Sequence, residues 1–131
     1  MQTTRAKGAL PVLTRTRVQR EAKGVVGIIA PWNYPLVMAV SDAIPAMLAG
    51  NTIVLKPDSK TPLTALLAAE LLEEAGLPDS VFQVLTGSGE VVGQTIAAEC
   101  DFLMFTGSTR TGRLLAKTAG ERLIDFSAEL G

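Results

Sequence analysis

An α/β fold is predicted, with one parallel sheet covered by helices on both faces. Three features of the sequence point to it. From Gly24 onward, short apolar runs alternate with stretches of helical pattern. The short runs carry apolar residues on both faces, as in strands of a parallel sheet covered on both sides. Each run is followed by a segment rich in Gly, Pro or small polar residues, where a strand would turn into a helix.

The elements follow in order. VVGIIA (25–30) is β-branched and continuous, which predicts a buried strand. AVSDAIPAMLAG (39–50) reads as a helix that ends at Gly50 and is disturbed at Pro45. NTIVLKP (51–57) is a second strand. A helix follows, with Thr61 as N-cap, Pro62 at its first position, and Gly76 and Pro78 as its stop. Leu63, Leu66, Leu67 and Leu71 are expected on its buried face, and Glu70, Glu73 and Glu74 on the wet side. VFQVLTG (81–87) is a third strand and GEVVGQTIAAE a shorter helix. DFLMFTG (101–107) is a fourth strand. STRTGRLLAKTAG is a helix capped by Ser108, and RLIDFSAEL (122–130) a fifth strand. Right-handed crossovers between such strands give a Rossmann-like sheet.

Composition narrows the function. The chain has 131 residues, with 12 basic against 13 acidic side chains, so it lacks the strong positive charge that nucleic-acid binding selects for. It has no histidine, which excludes His-based metal sites and Ser-His-Asp triads. The single cysteine, Cys100, forms no internal disulfide, consistent with a reducing, cytoplasmic setting. No apolar run is long enough to cross a bilayer: 36–50 is interrupted by Asp42 and Pro45. Residues 1–23 differ from the rest. Arg5, Lys7, Arg15, Arg17, Arg20 and Lys23 face one acid, Glu21. That balance also describes a transit peptide. The strand-period alternation of PVLTRTRVQRE favours an extended arm belonging with a neighbouring domain, which leaves 24–131 as the sheet domain.

In open parallel sheets, ligands bind outside the carboxyl ends of the strands. Those positions hold PWNYP, KPDSKTP, TGSGE, TGSTRTG and ELG. In FTGSTRTG, Gly107 permits a tight turn and Ser108 opens a helix whose free N–H groups attract an anion. Gly112 removes a side chain where helix and strand approach. An ordinary capped helix would look the same. GSGEVVG spaces its glycines G-x-G-x-x-x-G, one residue too long for the dinucleotide fingerprint, and reads better as loop plus helix. Gly87 could still leave room for a planar base. Lys56 stands where NAD-binding units commonly carry an acid; it can donate to ribose oxygens or a phosphate. Ser59 and Lys60 add a small donor and a second cation. The competing reading of this loop is a solvated turn.

Taken together, APWNYP, LKPDSKTP, FTGST and the terminal ELG resemble the cofactor-binding half of the aldehyde dehydrogenase superfamily, continuously from about Val18 to Gly131. SDAIPAMLAGNTIVLKPDSKTPLTAL resembles the succinate-semialdehyde dehydrogenase type. The resemblance implies roles. Asn33 would donate to the aldehyde oxygen as it becomes an oxyanion, with Pro31 and Pro35 fixing the segment. Trp32 and the adjoining main chain would line the cofactor channel. Lys56 would hold the adenine-side ribose, with Pro57, Asp58 and Ser59 completing the turn. Gly107 and Ser108 would meet the pyrophosphate. Glu129 would activate water to hydrolyse a thioester, and Leu130 would sit by the nicotinamide-side ribose. NAD-preferring relatives use a glutamate at the position of Ser59, so serine there, beside Lys56 and Lys60, favours NADP over NAD. An aldehyde substrate, no metal, no membrane and a homo-oligomeric parent are also implied.

The family's cysteine nucleophile lies downstream of the ELG glutamate, and Cys100 matches no such position. The expectation is therefore a fragment of an NAD(P)-dependent aldehyde dehydrogenase, inactive by itself. The alternatives are a stand-alone nucleotide-binding module and a non-functional remnant.

Overall fold

The structure is a computed structural model that describes residues 2–6, 8, 10 and 13–131. A two-stranded antiparallel ribbon comes first, β1 (Gln2–Ala6) paired with β2 (Thr16–Arg20). The strand pattern expected over 11–21 is thus observed at its carboxyl half; Pro11 and Val12 lie outside the described residues.

The sheet domain contains β3 (Val25–Ile29), α1 (Pro35–Val40), α2 (Ala43–Leu48), β4 (Thr52–Lys56), α3 (Pro62–Glu74) and β5 (Phe82–Val84). After a wide π-type turn at Gly89–Gly93 come α4 (Gln94–Glu99), β6 (Phe102–Gly107), α5 (Thr109–Arg122) and β7 (Asp125–Leu130). All strand pairs of the five-stranded sheet are parallel, in the order β5-β4-β3-β6-β7. The chain winds outward from β3 through β4 to β5, then returns to the other side of β3 as β6. The switch in direction lies between β3 and β6, which is where such sheets open a crevice at their carboxyl edge.

The two faces are packed separately. Val26, Ile28 and Ala30 of β3 and its exit join Ile53, Leu55 and Phe82 under Ala39, Ala43 and Ala65 of α1, α2 and α3. Ile29 meets Leu103, Phe105, Ile96, Ala97, Cys100 and Leu115 on the side of α4 and α5. Asn51 ties the entry of the central strand. Its Oδ1 accepts from the Lys23 and Gly24 amides at 2.6 and 3.1 Å, and its Nδ2 donates to the Ala46 carbonyl at 2.9 Å.

Several expectations need correction. The helix expected over 39–50 begins earlier, at Pro35, and is two helices broken at Ser41–Asp42. Pro45 cannot donate to the carbonyl one turn before it, so the break falls upstream of the proline, which occupies the third position of α2. Thr61 stands at the N-cap of α3, but its side chain makes no cap bond and its Oγ1 is buried without a partner among the described residues. Leu63, Leu66, Leu67 and Leu71 are exposed at 77%, 42%, 53% and 52%, so they are not the buried face; Ala65 and Ala68 are. Small side chains let α3 lie close on the sheet, and its leucine stripe points away. The third strand covers only Phe82–Val84, and the fifth begins at Asp125, because Arg122 still belongs to α5.

Candidate functional site

The cleft at the carboxyl edge occupies the switch point between β3 and β6. Pro31, Trp32, Asn33, Thr106, Gly107, Ser108, Glu129, Leu130 and Gly131 line this hollow of about 520 Å³. Register explains the gathering. β7 pairs with β6 so that Glu129 lies level with Thr106 and Leu130 with Gly107, and the Gly131 amide donates to the Gly107 carbonyl at 3.2 Å. The β3 exit reaches the same edge through Ala30, whose amide donates to the Lys56 carbonyl at 3.0 Å.

Each wall has a local cause. Tyr34 adopts a left-handed conformation at φ 51 and ψ 51 and hands over to Pro35 at the start of α1. A bulky residue in that region stores strain, of a kind that clusters at functional sites. It turns the chain sharply, leaving Trp32 and Asn33 exposed at the cleft. Ser108 is extended, and its Oγ accepts from the Thr111 amide at 3.3 Å. This cap leaves the earliest amides of a 14-residue helix free to meet an anion. Gly107 is not in a positive-φ turn; a Cβ there would lie 2.6 Å from Phe105 Cζ, so the glycine makes room for the Phe105 ring. A Cβ on Gly112 would lie 2.6 Å from Leu130 Cδ2, the close helix-to-strand approach expected there.

The loop after β4 leaves the neighbouring strand and is not among the residues that line the cleft. Lys56 is only 5% exposed, and its Nζ donates to the Pro57 carbonyl at 2.8 Å, which leaves it further hydrogens to donate. Asp58 Oδ1 accepts from the Lys60 amide at 2.9 Å. Ser59 Oγ donates to the Gly87 carbonyl at 3.2 Å, joining this loop to the one after β5. Gly87 has φ +143, a conformation that favours glycine. Lys60 Nζ lies over the Trp32 ring, 5.2 Å from its centroid, bridging the loop to the cleft.

A second hollow lies between the π-type turn with α4 and the start of α5. Gly89, Glu90, Gly93, Gln94, Ser108, Arg110 and Thr111 are among the residues that line it. GSGEVVG thus shapes a cavity that shares Ser108 with the cleft, although its glycine spacing gave no fingerprint. Thr106 was not singled out from the sequence either; it lies inside a motif that was. Cys100 is buried on the far side of β3, 2% exposed, and burial pushes its thiol pKa up from the ordinary value of 9.0. It is a core residue away from the cleft. Among the described residues there is no group of three or more His, Cys, Asp or Glu that could hold a metal, and no helix long and apolar enough to cross a membrane.

This donor set suits a dinucleotide: free amides for a pyrophosphate, a lysine and a hydroxyl at a strand end for a ribose, and a hollow on either side of Ser108. Comparison with known proteins identifies the family. The aldehyde dehydrogenase family matches residues 3–131. A protein of Mycolicibacterium smegmatis named "Putative succinate-semialdehyde dehydrogenase, NADP(+)" is 59% identical over 127 residues, which are 97% of this chain and 25% of that protein. A similarly named protein of Mycobacterium ulcerans is 57% identical over 122 residues, covering 93% of this chain and 24% of its own length. The crystal structure of a Mycobacterium tuberculosis aldehyde dehydrogenase complexed with NAD+ superposes with a TM-score of 0.91 at 44% identity, over 98% of this chain and 26% of that one. The chain spans about a quarter of the length of these relatives. It belongs to the aldehyde dehydrogenase family.

Proposed function

We propose that this chain is the cofactor-binding portion of an NAD(P)-dependent aldehyde dehydrogenase that oxidises an aldehyde of the succinate-semialdehyde class to its acid, with NADP the favoured cofactor. The observation that carries the proposal is the convergence of Asn33, Ser108 and Glu129 on one cleft at the switch point. The names of the relatives support the substrate class and the cofactor.

Bound NAD(P) would supply the hydride acceptor. The chain's own residues supply the rest. The first amides of α5 and the Ser108 hydroxyl bind the pyrophosphate. Lys56 donates to ribose oxygens from the end of β4. The Asn33 amide donates to the aldehyde oxygen as negative charge develops on it, a contribution that is strongest when the donor is already in place. The turn at Tyr34–Pro35 holds it there without cost at the moment of reaction. Glu129 takes the proton from the water that attacks the acyl group, releasing the acid. The thiol that carries the acyl group belongs to the full-length enzyme, so the 24–131 domain with its 1–23 arm is inactive alone. The same family resemblance supports a cytoplasmic homo-oligomer.

Ser59 carries no charge where a carboxylate would repel a 2′-phosphate, which bears nearly two negative charges. The test is aldehyde oxidation by the full-length enzyme with each cofactor. Succinate semialdehyde should be turned over with a higher kcat/KM for NADP than for NAD, and Ser59→Glu should shift that ratio toward NAD by about tenfold, equivalent to ~1.4 kcal/mol. Strict NAD dependence in the wild type, or an unchanged ratio in the variant, refutes the cofactor reading. No oxidation of any aldehyde refutes the reaction.

A further inference from the structure

The ribbon of β1 and β2 carries a charge cluster that the functions above leave unexplained. Arg5 of β1 stands directly opposite Arg17 of β2 in the antiparallel register. Like charges so placed destabilise a strand pair. Thr3, two residues before Arg5, and Arg15, two before Arg17, share that face by the two-residue period of an extended chain. Among the described residues, these four line a hollow of about 370 Å³. No carboxylate among the described residues pairs with the three arginines; the two ion pairs are Lys23 with Asp125 and Lys117 with Glu121. Glu21 is the one acid in 1–23, and its Oε1 accepts from Gln19 Nε2 at 2.7 Å. The opposite face of the ribbon is small and uncharged at its centre, where Thr4 is level with Val18 and Ala6 with Thr16.

We propose that this hollow binds a phosphoryl group of a small anionic ligand, held by Arg5, Arg15 and Arg17 with the Thr3 hydroxyl as a further donor. The site shares no lining residue with the cleft or with the hollow beside Ser108, so it does not depend on the dehydrogenase reading. A dianion between the strands turns the repulsion of Arg5 and Arg17 into two attractions. Three guanidinium forks present more donors than the two oxygens of a carboxylate take up, whereas a phosphate offers three oxygens and nearly two charges. Arginine is also suited to this task, because its planar fork is weakly hydrated and pairs with oxyanions in a bidentate manner. All four residues are exposed, so the anion enters from solvent. At about 370 Å³ the hollow lies at the small end of ligand pockets, roughly 300–1,000 Å³. That size suits a phosphomonoester and not a dinucleotide.

The experiment is calorimetric titration of the full-length enzyme with inorganic phosphate, in chloride buffer of fixed ionic strength and with NAD(P) saturating, so that the cofactor cleft is filled. One phosphate should bind per subunit, and malonate, a dicarboxylate, should bind about tenfold more weakly. Arg5→Gln and Arg17→Gln should each weaken phosphate binding by about tenfold or more. Arg17→Lys, which keeps the charge and loses the fork, should fall between. Arg20→Gln, on the other face of the ribbon, should leave binding unchanged. In phosphate-free buffer Arg17→Gln should melt no lower than the wild type, because it removes a repulsion. Absence of phosphate binding by the wild type overturns the inference. So does binding that survives in both variants, which would place the anion elsewhere, and malonate binding as tight as that of phosphate. A lower melting point of Arg17→Gln without phosphate marks a structural role and overturns it too. If Arg5→Gln and Arg17→Gln instead split the enzyme into smaller assemblies, the arginines meet carboxylates of a second copy, and the phosphate site is wrong.

Discussion

Replacing Gly27 by alanine should destabilise the protein and loosen its hold on a nucleotide, because this position fixes how closely α4 lies on β3. Gly27 is buried in the central strand. A Cβ there would overlap Ile96 Cγ2 and stand 3.0 and 3.1 Å from Cys100 Sγ and Cβ. Ile96 and Cys100 are 4% and 2% exposed and have little room to yield. Such overpacking costs about 1–3 kcal/mol. The lost freedom of the unfolded chain returns about 0.4–1 kcal/mol, so the net loss should be roughly 1–2 kcal/mol. Displacing α4 also moves Gly93 and Gln94, which line the hollow beside Ser108. The assay is urea unfolding of the 131-residue chain, followed by far-UV circular dichroism and by fluorescence of Trp32, its single tryptophan. Ile96→Ala alone should cost about 2–5 kcal/mol. The double variant should be better than the sum by about 1 kcal/mol, since the alanine methyl enters the vacated space. A Gly27→Ala chain as stable as the wild type, or strict additivity in the double variant, would refute the steric argument.

Other outcomes follow from the site. In the full-length enzyme, Asn33→Ala should lower kcat by on the order of a hundredfold, about 3 kcal/mol for one oxyanion donor, with cofactor affinity nearly unchanged; equal loss of cofactor binding at normal turnover would place Asn33 at the cofactor instead. Cys100 should label slowly with a disulfide reagent in the folded chain at neutral pH and readily in urea. Because its folded pKa is raised, its contribution to stability is fully present below the ordinary thiol pKa and declines as pH rises past it. Fast labelling of the folded chain at pH 7 would contradict this burial.

The central strands β3 and β4 were readable because each is a short β-branched run, as burial in a parallel sheet favours. The leucine face of α3 was misread for a physical reason. The helix is apolar on two sides, through Ala65 and Ala68 on one and Leu63, Leu66, Leu67 and Leu71 on the other. Periodicity ranks the larger side chains first, whereas close approach to a sheet favours the smaller. Motif residues were readable because PWNYP, TGST and EL stand where strands end. Their meeting in one cleft depends on the strand order β5-β4-β3-β6-β7, which no local pattern encodes. The Lys60–Trp32 contact is of the same kind: it joins the exits of two neighbouring strands. Asn51 offered no signal, since its Oδ1 accepts from Lys23 and Gly24, which only the fold brings near.

The central claim is that the carboxyl edge of this sheet is half of an aldehyde-oxidising site, with Glu129 at its water-activating position. Rapid-mixing kinetics of the full-length enzyme carrying Glu129→Gln test it most directly. The variant should keep a stoichiometric burst of reduced cofactor on mixing with aldehyde, followed by steady turnover slowed by on the order of a hundredfold or more. A variant that loses the burst and still hydrolyses a preformed acyl-enzyme at the normal rate would contradict the account.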